Sequence, residues 1–123
     1  MTPLPILETL YGEDVMDIEK NEKGMYQVLT VLEKVDLYNI SEFKKVLFDM
    51  TSGKYTHVAV ELRGNLTDMS SSVIGALISG QKKMSASKGT FVVINASEHM
   101  KNLFFLAGLQ DFFTIVDNVN QLV

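Results

Sequence analysis

Cysteine is absent from the 123 residues, and the only two prolines, Pro3 and Pro5, fall within the first five positions. Without cysteine there are no disulfides and no thiolate metal sites, and a reducing compartment is permitted. The proline-bearing start reads as an extended arm, residues 1–13. That start, "MTPLPILETLYGEDVMDIEK", also lacks the basic region and long apolar core of a signal peptide. No apolar run reaches the roughly 18 residues of a membrane span. The cytoplasm is therefore the expected location. Positive charge is scarce as well. Eleven basic residues stand against fifteen acidic ones, a net charge of -4. A nucleic-acid binder normally shows a basic face, so that class is excluded.

What the chain does have is an ordinary globular composition, 46% hydrophobic and 21% charged, in a length that suits one domain with one core. In "VMDIEKNEKGMYQVLTVLEK", Met16 and Ile18 alternate with Asp17 and Glu19, "NEKG" makes a turn, and an apolar run resumes from Tyr26 to Leu32. This pattern predicts a β-hairpin. In "NISEFKKVLFDMTSG", Phe43, Val46, Leu47 and Met50 recur at helical spacing, with Ser41 as a cap and Gly53 as a stop. Thr56–Leu62 and Thr90–Asn95 read as buried strands. Between them "RGNLTDM" is a loop, followed by a helix from Ser70 to Ser87 that Gly89 ends. A helix capped by Ser97 and stopped by Gly108 comes next, then a short strand "FFTIV" and a short closing helix capped by Asp117. The order ββαβαβαβα predicts an α/β fold: one domain, residues 14–123, with a mixed, mostly parallel sheet of about five strands and helices packed on it.

The stretch "TDMSSSVIGALISG" calls for a closer reading. Val73, Ile74, Leu77, Ile78 and Met84 form an apolar stripe that should lie on the sheet. Gly75, Ala76, Ser79 and Gly80 form a small-residue face beside it. Each helical glycine costs roughly 1 kcal/mol against alanine. Close helix–sheet packing offsets that cost, or else another molecule docks there. The first turn carries Ser70, Ser71 and Ser72, where unpaired N–H groups and the positive end of the helix dipole gather. One hydroxyl serves as a cap, a task that Asp68 could also perform. The others face solvent or a partner, and a phosphate there would be held by the same N–H groups.

With these segments in place, the chain resembles the STAS domain, the fold of bacterial anti-sigma-factor antagonists. The resemblance rests on "VAVEL" followed by "SSSVIGALI", on the ending "KGTFVVINASEHMKNLFFLAGLQDFFTIVDNVNQLV", and on "VLTVLEKVDLYNISEFKKVL" upstream. It covers Met16 to Val123 through the order of these three segments. By position, Ser71 matches the family's phosphorylated serine, Ser72 its second serine, and Asp36 the aspartate after the second strand. Ile74 and Gly75 stand in the places of the family's Leu and Gly. Three positions depart: Ser70 replaces an aspartate, Val73 a glycine, and Glu33 a glycine before Asp36. The spacing from Glu61 is one residue longer than usual, which makes Ser70 the alternate phosphoacceptor.

The resemblance implies a non-enzymatic partner of an anti-sigma factor that is also a serine kinase. Phosphorylation of the antagonist separates the pair, and a PP2C-type phosphatase is a further implied partner. Ser70, Ser72, Asp36, Asn39, Asp68, Ile74 and Gly75 are the implied partner-binding residues. The Asp36–Asn39 loop, the Arg63–Asp68 loop and the serine turn are expected at one edge of the domain, as a shallow acidic surface. The other reading within the family is a scaffold or accessory subunit that is not phosphorylated, which Val73 in place of glycine favours.

Other classes fit less well. No nucleophile elbow, P-loop or dinucleotide fingerprint occurs. His57 and His99 are not spaced as metal ligands, and His57 reads as a strand-edge residue. No metal or cofactor is expected. A phosphorelay receiver needs an aspartate at the tip of its third strand, where this chain has Glu-Leu-Arg.

Overall fold

The computed structural model describes residues 17–63, 71–94 and 98–122. The residues 1–13 arm, Ser97 and the Gly64–Ser70 part of the loop lie outside the described residues. Strands β1 (Ile18–Lys23) and β2 (Tyr26–Val31) form the expected hairpin. Helix α1 (Ile40–Met50), strand β3 (His57–Leu62), helix α2 (Ser71–Ala86), strand β4 (Thr90–Ile94) and helix α3 (Glu98–Leu106) follow in alternation. Strand β5 (Thr114–Val116) and a 3-10 turn, Val119–Gln121, close the chain. The sheet has five strands in the order β1-β2-β3-β4-β5. The β1–β2 pair is antiparallel and the other three pairs are parallel, so the mixed, mostly parallel α/β sheet holds.

Two apolar layers flank the sheet. On one face, Leu29, Val31, Val58, Val60, Leu62, Phe91 and Val93 pack with Phe43 and Leu47 of α1, Val73, Leu77 and Met84 of α2, and Met100 and Phe104 of α3. On the other, Tyr26, Val28, Ala59, Val92 and Ile94 meet Val116, Val119 and Leu122. Strands buried on both faces are apolar at nearly every position, which explains why β3 and β4 show no clean alternation. Within the second layer, Thr30 Oγ1 donates to Glu61 at 3.1 Å, and Glu61 also pairs with Arg63 at 3.0 Å. The Glu61 carboxylate near the end of β3 therefore has a partner at each oxygen.

The helix ends revise several expectations. Helix α1 begins at Ile40, with Asn39 rather than Ser41 at its cap position. The last turn of α2 is closed by Lys88, which takes the left-handed conformation (φ 62°), while the Gly89 N–H bonds back to the Met84 carbonyl at 2.7 Å. Gly89 is needed for space instead: a Cβ there would lie 2.7 Å from the Met84 methyl and 2.9 Å from the Thr56 carbonyl. Gly108 performs the predicted left-handed stop (φ 73°), with Leu109 N–H bonding to the Phe104 carbonyl. Asp117 does not cap a closing helix. Asn118 caps the 3-10 turn, and Asp117 holds Lys101 of α3 at 2.6 Å, which raises the lysine's pKa.

The small-residue face of α2 divides. A Cβ at Gly80 would come within 3.2 Å of the Phe91 ring, so the absence of a side chain there permits close helix–sheet packing. A Cβ at Gly75 would meet nothing within 4 Å. Packing thus accounts for one helical glycine and not for the other.

Candidate functional site

The parallel strands β2, β3 and β4 end at one edge of the sheet. Val31 pairs with Leu62, and the Arg63 N–H reaches the Val31 carbonyl at 2.8 Å. From this edge the chain leaves β2 into the Leu32–Asn39 loop and leaves β3 toward the first turn of α2. Crevices at the carboxyl ends of strands are where open α/β sheets generally carry their functional surfaces. The expected placement of the Asp36–Asn39 loop, Arg63 and the helix start at a common edge follows from this topology.

The Leu32–Asn39 loop is held by its own polar side chains. Asp36 Oδ1 accepts from the N–H groups of Tyr38 (2.8 Å) and Asn39 (3.2 Å). Asn39 Oδ1 accepts from the Asp36 N–H at 2.7 Å, and its amide donates to Glu33 at 2.9 Å and to the Lys34 carbonyl at 2.8 Å. Glu33 in turn accepts from the Asp17 N–H at the entry to β1. The glutamate that departs from the family glycine therefore ties the loop to the sheet. Asn39 is buried, so its side chain supports the surface rather than forming it.

Between Asp36 and Asn39 the loop presents Leu37, 88% exposed, and Tyr38, 92% exposed. Large apolar side chains held in water by a hydrogen-bonded loop are the usual anchors of protein interfaces. Neither residue was among those read as partner-binding. The available signal was an apolar pair placed just ahead of the helical period, between two side chains suited to turns.

Of the anticipated site residues, Ser71 is the first residue of α2, and Ser72 and Gly75 are exposed. Ile74 is half-buried and packs against the core, so it contributes to the stripe and only in part to the surface. Val73 is fully buried. Valine at that position fills the core and leaves the outward surface of the turn unchanged. Asp68 and Ser70 lie outside the described residues. The described part of the edge carries both signs of charge, Glu33 and Asp36 with Lys34 and Arg63, and the rest of the anticipated acidic surface, with Asp68, lies outside the described residues.

Below the serine turn, an open groove of about 360 Å³ runs between α1 and α2 past Ser72, Gly75 and Ser79 on one side and Lys44 and Phe48 on the other. Lys83 of α2 lies 3.0 Å above the centroid of the Phe48 ring of α1, a cation–π contact between the two helices. Among the described residues no cluster of His, Asp or Glu is arranged to hold a metal ion, and no helix is long and apolar enough to cross a membrane. His57 begins β3, where it stacks edge-on against Tyr26 at 5.1 Å and contacts Thr56 Oγ1 at 3.0 Å, the strand-edge role its position suggested.

The family model for the STAS domain matches residues 17–122. No curated protein matches the sequence. Several solved structures share the fold. A crystal structure described as an anti-sigma factor antagonist from Thermotoga maritima superposes with a TM-score of 0.71 at 20% identity, covering 85% of this chain and 89% of that one. An anti-sigma factor antagonist from Mycobacterium paratuberculosis gives 0.69 at 13% identity, with 87% and 90% covered. The phosphorylated form of SpoIIAA, a Bacillus cell fate determinant, gives 0.58 at 16% identity, with 85% and 95% covered. At these identities the likeness is one of fold.

Proposed function

Because the chain belongs to the STAS domain family, we propose that it is an anti-sigma factor antagonist which binds an anti-sigma factor with serine kinase activity and is released by phosphorylation of Ser71, with Ser70 as the alternate acceptor. The observation that carries this reading is the composition of the carboxyl edge of the sheet. A rigid loop offers Leu37 and Tyr38 to solvent at the same edge as the N-terminus of a sixteen-residue helix that begins with two serines. A regulator switched by phosphate needs an apolar anchor for affinity and a nearby hydroxyl whose modification changes the charge of the contact. Both features are built on elements that the sheet holds in place.

The physics of release follows from charge. A phosphoserine carries about -1.5 to -2 charges at neutral pH. At the first turn of α2 the helix dipole tolerates that charge at a gain of about 0.3–1 kcal/mol, so the fold persists. In the bound state the same dianion must be desolvated against the partner. Like charges across an interface cost several kcal/mol, and each 1.4 kcal/mol is tenfold in affinity. The existence of phosphorylated and unphosphorylated forms of SpoIIAA supports such a switch on this fold. A PP2C-type phosphatase would reset it. The reading is tested by binding to the co-encoded kinase with and without ATP, together with the intact mass of the product.

A further inference from the structure

We propose that β1 is a self-complementary edge through which two copies of this chain pair about a two-fold axis, joining their sheets. The proposal is independent of the partner-switching reading. Among the described residues, strand β1 is the outermost strand of the sheet, and residues Glu19 to Lys23 are all exposed. An edge strand presents unpaired backbone groups to any strand that can approach it.

The hairpin determines which groups those are. The Leu32 N–H bonds to the Asp17 carbonyl at 2.9 Å, so Asp17 and Leu32 form a hydrogen-bonded pair in the register that sets Ile18 opposite Val31. Such pairs recur at every second residue of an antiparallel ladder. Glu19, Asn21 and Lys23 therefore direct their backbone groups toward β2, and Ile18, Lys20 and Glu22 direct theirs outward. A second copy running antiparallel must use the same outward residues.

Of the registers that satisfy that condition, three pair the outward charges Lys20 and Glu22 of "IEKNEK" with themselves or with each other. Centred on Lys20, the pairing sets Lys20 against Lys20. Centred on Glu22, it sets Glu22 against Glu22. Centred on Asn21, it sets Lys20 opposite Glu22 and Glu19 opposite Lys23, each twice by symmetry, with the two Asn21 amides meeting on the axis. Directly opposed unlike charges favour a strand pair and like charges disfavour it. The alternation of charge thus rejects the two neighbouring registers and accepts one. Charges on an edge strand ordinarily prevent association. Here their order makes the exclusion selective.

The arrangement is isologous, as a closed dimer requires. A two-fold axis normal to the sheet keeps α1 of both copies on the same face. It brings them toward one another over a groove of about 350 Å³ lined by Lys20, Glu42, Lys45, Val46, Phe48 and Asp49. A single strand pair with this flank buries less than a permanent interface, so the dimer is expected to be concentration-dependent.

Sedimentation equilibrium between about 10 μM and about 1 mM tests the proposal, a range suited to a small interface. The wild type should show a monomer–dimer equilibrium that weakens as salt rises. Lys20→Glu alone, or Glu22→Lys alone, should raise the dimer Kd by about tenfold or more, since each sets like charges opposite one another. The double exchange Lys20→Glu with Glu22→Lys should restore the wild-type constant to within about threefold, and the two single variants mixed should form a heterodimer, because both recover unlike pairs. All four positions of charge are exposed, so the variants retain the fold. A protein that stays monomeric throughout the range overturns the proposal. So does a dimer that ignores the single reversals or is not rescued by the double exchange.

Discussion

Asp36 and Asn39 hold each other: the Asn39 side-chain oxygen accepts from the Asp36 N–H at 2.7 Å, and Asp36 Oδ1 accepts from the Asn39 N–H at 3.2 Å. The two residues were read from the sequence as partner contacts. In the structure they set the conformation that exposes Leu37 and Tyr38. Replacing Asn39 by Ala leaves the Glu33 carboxylate and the Lys34 carbonyl without this donor. The expected loss is about 1–3 kcal/mol of stability, read from urea unfolding. An unchanged midpoint would show that the network does not order the loop.

Leu37→Ala and Tyr38→Ala should behave in the opposite way. Both side chains lie almost wholly in water, so stability should change by no more than about 0.5 kcal/mol. Affinity for the anti-sigma partner should fall by about 2 kcal/mol, roughly thirtyfold, for at least one of them. Titration calorimetry with each variant measures this. Wild-type affinity in both would remove the apolar anchor from the proposed interface.

The two helical glycines of α2 give a paired test. Gly75→Ala enters open space and should stabilise the protein by up to about 1 kcal/mol through helix propensity. Gly80→Ala gains the same propensity but brings its Cβ to 3.2 Å from the Phe91 ring, so it should stabilise less or destabilise. Thermal midpoints of the two variants decide. Equal stabilisation would mean that Phe91 yields without cost and that close packing does not explain Gly80.

Leu77→Asp tests the placement of α2. Leu77 is fully buried in the core, and a carboxylate there has no water and no prepared partner. The domain should be unfolded or destabilised by about 4 kcal/mol or more. A thermal midpoint near that of the wild type would contradict the packing of this helix.

The architecture was legible because its signals are collective. The two β-branched runs, the second strand of the hairpin and the stripe Val73, Leu77, Met84 each repeat one requirement over several residues, and the structure buries them as the pattern implies. Details that depend on single residues were less legible. Asp117 has the chemistry of a cap, yet Lys101 of α3 competes for its carboxylate at 2.6 Å, and Asn118 takes the capping role. Lys88 rather than Gly89 takes the positive φ, and Gly89 is required instead by Met84 and Thr56, which leave no room for a Cβ there. At the candidate site, residue type indicated polar contacts at Asp36 and Asn39. Their hydrogen bonds go to the loop itself, and the exposed apolar pair between them is seen only once burial is known.

The central claim is that a hydroxyl at the start of α2 switches partner binding, and the affinity of wild type, Ser71→Ala and Ser71→Asp for the co-encoded anti-sigma kinase, measured with and without ATP, tests it most directly. Wild type should bind without ATP and be released with it. Ser71→Ala should bind under both conditions, with a change in stability of about 1 kcal/mol at most. Ser71→Asp should bind weakly under both, with a carboxylate reproducing part of the phosphate charge. If Ser71→Ala is released by ATP as the wild type is while Ser70→Ala is not, the switch lies one residue earlier. If all the proteins bind equally under both conditions, the serines are structural and the switch is contradicted.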